Sequence, residues 1–124
     1  MKYDLRAPCK QCPFRTDITP FLTTRRVREI IASLIGAQQS FVCHKTLRYD
    51  DGINGRETAN SQHCAGAMIL LEHLGKPNQM MRIAERLGMY DPTRLDMKAH
   101  VFKHPKDMVI AHDHAERRQR RVRA

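Results

Sequence analysis

Two cysteines spaced two residues apart, in a chain with only two others, constrain this sequence more than any other feature. Cys9 and Cys12 stand between Pro8 and Pro13, and the remaining thiols are Cys43 and Cys64. A Cys-x-x-Cys turn reverses the chain within a few residues, so both sulfurs face one ion and neighbouring amides hydrogen-bond to them. Two thiolates leave a tetrahedral site half built. The pattern therefore predicts that Cys9, Cys12, Cys43 and Cys64 converge on one metal centre. His44 and His63 each adjoin a cysteine and are the substitutes if a histidine replaces a thiolate.

The spacing bears on which metal. Zinc sites with four cysteines usually draw their ligands from two local pairs. Here one pair is joined by two isolated cysteines, the gaps being 30 and 20 residues. That dispersion, the proline after Cys12 and the small run Ala65-Gly66-Ala67 beside Cys64 also suit a bulkier iron–sulfur cluster. Zn2+ is the first expectation and a [4Fe-4S] cluster the second.

At 124 residues the chain is the length of one domain. It is 41% hydrophobic but has no Trp, three Tyr and four Phe, so its core is modest and gains from a metal that ties distant segments together. No apolar run approaches the roughly 20 residues of a membrane span, so no membrane partner is expected. The first six residues, Met1 to Arg6, lack the apolar core of a secretory signal. A cytoplasmic location follows as the expectation, and reduced thiols there favour metal over disulfides.

Apolar periodicity predicts a mainly α protein, a small metal-centred helical domain with an irregular N-terminal arm over residues 1–22. A first helix is expected from an N-cap at Thr24, with Val27, Ile30, Ile31, Leu34 and Ile35 on one face and Gly36 as its stop. Arg25, Arg26 and Arg28 near its start oppose the helix dipole. Residues 48–60 read as a polar surface loop. Ser61 is the expected cap of a second, central helix through Cys64 and on to Leu74, ended by Gly75. Pro77 is the expected first residue of a third, ended by Gly88. Asp91-Pro92 starts a short turn, and Pro105 a last helix running through the arginine-rich end. The boundaries expected are a domain over 1–114 and a basic tail over 115–124.

Net charge is +9, and the last ten residues carry five arginines against one acid. Arg117, Arg118, Arg120, Arg121 and Arg123 therefore read as nucleic-acid contacts, with a solvated basic end as the alternative. Enzyme readings fare worse. Pro8-Cys9-x-x-Cys12 and His114-Ala115-Glu116 match the two halves of a zinc deaminase signature, but in reversed order and without a βαβ pattern. A thioredoxin-like site needs a helix after the pair, where Pro13 stands, and leaves two cysteines unused. His100 and His104 have helical ligand spacing, which Pro105 interrupts.

Cys9-x-x-Cys12-Pro13-Phe14-Arg15-x-Asp17, Phe41-x-Cys43-His44-Lys45 and Cys64-Ala65-Gly66 together resemble a family of small actinobacterial and phage proteins of unknown function. The run from Gly75 to Tyr90 is also similar to its members, so the resemblance spans most of residues 7–110. A looser likeness is to the WhiB-type iron–sulfur regulators, which combine a Cys-x-x-Cys-Pro segment, four cysteine ligands and a basic DNA-contacting tail. In those regulators a lone cysteine precedes the pair and a Gly/Trp turn precedes the tail; here the pair comes first. Together these features imply a metal-binding, nucleic-acid-associated regulatory protein rather than an enzyme. The alternative is a protein-interaction module acting on transcription or other machinery, with a non-functional basic tail.

Overall fold

The helix over Ala65–His73 is buried at seven consecutive residues, Ala65 to Leu71, because it carries no polar face to turn outward. Such a helix must be covered from every side, and the rest of the chain does this. The computed structural model describes residues 1–123, so Ala124, the end of the expected tail, lies outside the described residues. Its α-helices are α1 (Thr24–Ile31), α2 (Ala65–His73), α3 (Gln79–Arg86) and α4 (Pro105–Arg123). One two-stranded antiparallel hairpin joins β1 (Arg48–Tyr49) to β2 (Gly55–Arg56). The core around α2 takes Phe14 from the arm, Val27 and Ile30 from α1, Met81 and Ala84 from α3, and Met108 from α4. No described helix is long and apolar enough to cross a membrane.

The irregular arm is fixed by backbone pairing rather than by its own secondary structure. Lys2 N–H donates to Ser61 O at 2.7 Å, and His63 N–H donates to Lys2 O at 2.9 Å. On the other side of that segment Val42 pairs antiparallel with His63, through Cys43 N–H to Gln62 O at 2.8 Å and Cys64 N–H to Phe41 O at 2.7 Å. Farther along, Arg15 pairs with Val101. These short bridges satisfy backbone groups that a loop would otherwise leave buried and unpaired.

Helix starts moved where tertiary partners claimed the expected cap. Thr23, not Thr24, caps α1 by accepting from Arg26 N–H, while the Thr24 hydroxyl donates to Asp113 at 3.0 Å. Ser61 caps nothing helical: it is held in the pairing with Lys2, its hydroxyl meets Thr46 O, and α2 begins only after Cys64. Asn78 rather than Pro77 opens α3, its side chain accepting from Met81 N–H at 2.9 Å. The stops were legible: Gly75 and Gly88 take φ of 68° and 73°, the left-handed turn that releases a helix end. Gly36 instead lies in a π-turn, Ala32–Gly36, that extends α1. Residues 48–60 include the exposed β1–β2 hairpin, whose Asp50 receives both Arg48 and Arg56.

Helix α4 runs past residue 115 without a break and packs on α1, with Ala115 buried. Glu116 accepts from Thr24 N–H at 2.5 Å. Acidic groups of α4 thus sit at the positive end of α1, where Arg25, Arg26 and Arg28 crowd the same turn. Deleting residues 113–124 is therefore expected to lower the melting temperature measurably, whereas deleting 119–124 leaves it unchanged. Asn78→Ala should cost about 2 kcal/mol in a denaturant titration, because it removes a cap and a hydrogen-bond partner of buried His63.

Candidate metal centre

Three segments deliver the four cysteines. The arm makes a tight turn in which Cys12 N–H donates to Cys9 O at 3.2 Å and Arg15 N–H to Cys12 O at 3.1 Å. Cys43 and Cys64 flank the Val42–His63 bridge on its two strands. Side chains alternate along paired strands, so a cysteine on either strand faces opposite to its bridged neighbour. Cys12, Cys43 and Cys64 are buried, and Cys9 is half-buried.

The sulfurs of Cys12 and Cys64 lie 3.6 Å apart although 52 residues separate them in sequence. Cys9 lies within electrostatic range of Cys12 and Cys43, as does Cys64 of the same two. Among the described residues, no three His, Cys, Asp or Glu side chains stand arranged to hold a metal ion. The direct sulfur contact is thus Cys12 with Cys64, and among the described residues Cys9 and Cys43 do not join it.

The protonation pattern follows from these contacts. The hydrogen bond from Cys64 holds the Cys12 thiol below its ordinary value against the opposing effect of burial. Amides of Phe14 and Gly66 and the Arg15 charge act in the same direction. Cys64, hydrogen-bonded to Cys12 and buried, is pushed well up. Burial also raises Cys9, which a Gln11 amide and the Lys45 charge partly offset. Amides that point at a sulfur favour its thiolate form.

Glycine 66 makes this approach possible. A methyl group there would meet the Cys12 sulfur at 2.6 Å and Phe14 Cβ at 2.9 Å. The space left by the small Ala65-Gly66-Ala67 run is thus filled by the Cys12 side chain rather than left open beside Cys64.

The two histidine substitutes differ. His63 is buried, stacked on Tyr3, and held to Cys64 O through Nδ1 at 3.2 Å. Its Nε2 faces the Asn78 amide at 3.3 Å and the Phe41 N–H at 3.4 Å, and burial pulls its pKa down to about 4. With both ring nitrogens engaged, it acts as a strut between α3 and the Cys43 strand. His44 is half-buried and lines a cleft of about 610 Å³ beside the cysteine turn.

Sequence reading missed two supports. Buried His112, on α4, donates from Nε2 to Pro13 O at 3.0 Å and accepts from Leu22 N–H at 3.3 Å, clamping the cysteine turn. No pattern marks it, since its partners are distant backbone atoms. Arg15 forks onto both Asp17 oxygens at 2.7 Å and reaches Cys9 O at 3.3 Å. That pair was visible only as the Arg15-x-Asp17 portion of the motif. The Arg15 guanidinium holds Asp17 down to about 2.

The predicted nucleic-acid residues all lie on α4. Arg117 pairs with Asp113 at 3.0 Å, and Arg120 with Glu116. Arg118, Arg121 and Arg123 make no ion pair among the described residues. His114, Arg117, Arg118 and Arg121 line one shallow groove, as helical spacing of three and four requires.

These features define a small, mainly α protein whose buried thiols join an irregular arm to a central helix. A family model described as a family of unknown function, DUF6283, matches residues 4–123, and the chain belongs to that family. No curated protein and no solved structure matches it.

Gly66→Ala is expected to destabilise the fold by about 1–3 kcal/mol through forced displacement of Cys12. Gly36→Ala, where a methyl meets nothing within 4 Å, serves as the control. Its change should stay within about 0.5 kcal/mol. Paired denaturant titrations read the difference.

Proposed function

We propose that Cys9, Cys12, Cys43 and Cys64 close around one metal ion, Zn2+ ahead of a [4Fe-4S] cluster, in a nucleic-acid-associated regulatory protein. The observation carrying the metal reading is the 3.6 Å separation of the Cys12 and Cys64 sulfurs. Tetrahedral ligands at about 2.3 Å from one zinc stand just under 4 Å from each other. In a [4Fe-4S] cluster each thiolate takes a different iron, which spreads the sulfurs farther apart. The WhiB-type likeness keeps the cluster as the second choice, and the sulfur contact favours zinc.

Four thiolates leave no open coordination position, so the metal's work is structural, or redox-sensing through its sulfurs. It would pin the arm to the start of α2, adding to the apolar contact that buried Phe14 already makes there. Metal analysis of anaerobically purified protein tests this: about one zinc per chain is expected, with no visible absorbance. Cys64→Ser should abolish binding and loosen the fold in a circular dichroism melt, with a much smaller loss for His44→Ala. A wild-type protein that stays fully folded and metal-free when refolded in excess zinc overturns the metal reading.

The nucleic-acid reading is supported by Arg118, Arg121 and Arg123, which make no ion pair among the described residues of α4, and by the +9 charge. Arg118→Glu with Arg121→Glu should reduce the slope of log affinity against log salt by about 2 units on duplex DNA. A protein-partner reading has its own observation: Met80, Ile83 and Leu87 form an exposed apolar stripe on and just after α3. That reading gains if the intact protein binds neither duplex nor single strand at about 50 mM salt, where phosphate attraction is strong.

A further inference from the structure

The cleft beside the cysteine turn has a composition that the metal reading leaves unexplained. Its wall is apolar, with Phe21, Leu22 and Phe41, its cations are Lys10 and Arg26, and His44 adds an imidazole. No acidic residue lines it. At about 610 Å³ it falls in the range of sites that enclose a compact organic ligand.

Phe21 is 52% exposed, so a large ring stands open to solvent at this wall. It is nevertheless held from behind. The His112 ring meets it edge-on with centroids 6.4 Å apart, and His112 is itself fixed by Leu22 and Pro13. A fixed, open aromatic ring beside cations is the arrangement that stacks an unpaired base.

The cleft also lies next to a groove on the basic helix. Thr19 lines both this cleft and a neighbouring groove bounded by Arg118, Val122 and Arg123 of α4. A flexible strand crossing Thr19 would have cations on both sides of it. Bases of an intact duplex are stacked inside the helix and reach such a cleft only by flipping out.

Resting on the nucleic-acid reading above, we propose that the partner is a single strand. One base stacks on Phe21 in the cleft, while Lys10 and Arg26 on one side and Arg118 and Arg123 on the other meet its phosphates.

Phe21→Trp provides a direct probe, because the chain has no Trp of its own. Titration with an oligothymidylate of about twelve nucleotides should quench its emission, and a duplex of that length should not. Phe21→Ala should weaken single-strand binding, read by fluorescence anisotropy, about tenfold. Its duplex affinity, metal content and circular dichroism melt should stay at wild-type values. Arg118→Glu should weaken both probes. Undiminished single-strand affinity in Phe21→Ala overturns the cleft assignment and leaves the nucleic-acid reading standing. Absence of binding by both probes in the intact protein overturns the two together.

Discussion

The approach of the Cys12 sulfur to the start of α2 is the constraint on which the other features rest. The N-terminal arm has almost no regular structure, so something must hold it against the buried helix. Cys12 does so by occupying the space a side chain at position 66 would take, within 3.6 Å of Cys64. The Gly66 amide favours a thiolate there. Phe14, two residues on, is completely buried beside it. Burying a ring of that size contributes about 1.5–3 kcal/mol, which depends on the turn that presents it. The clamp from His112 and the pairing of Arg15 with Val101 fix the same turn from outside.

Charge is organised around the same centre. Asp113 and Glu116 serve α1 and also receive Arg117 and Arg120, so these two arginines are partly spent within their own helix. Exposed pairs of this kind contribute little to stability. Their consequence is placement: Arg118 and Arg123, which make no ion pair among the described residues, line a groove that meets the cleft by the cysteine turn at Thr19. Helix α4 thus reaches the cysteine turn through His112 and the groove beside the cleft through Arg118.

Much of the architecture was legible from residue types. The burial of α2 followed from its lack of a polar face, and its end from Gly75. The start of α4 followed from Pro105, and the arginines' outward placement from their charge. The caps were less legible, for Thr23 and Thr24 carry the same hydroxyl and only the position of Asp113 decides between them. Ser61 was misread because pairing with Lys2 takes the backbone that a helix start would have used.

The sequence by itself determined that this chain has four thiols, a central apolar helix and a basic terminal helix, because composition and periodicity express those directly. Tertiary structure alone decided which thiols touch and which histidine is free to meet a ligand. It also decided that Phe21 faces a cleft. Cys43 and Cys64 come together through one backbone bridge between short segments. His63 is turned into the core and engaged at both nitrogens, while His44 remains at the cleft. Such outcomes depend on a one-residue register between extended strands, and a slip of one residue reverses every side chain. Neither spacing nor composition encodes that register.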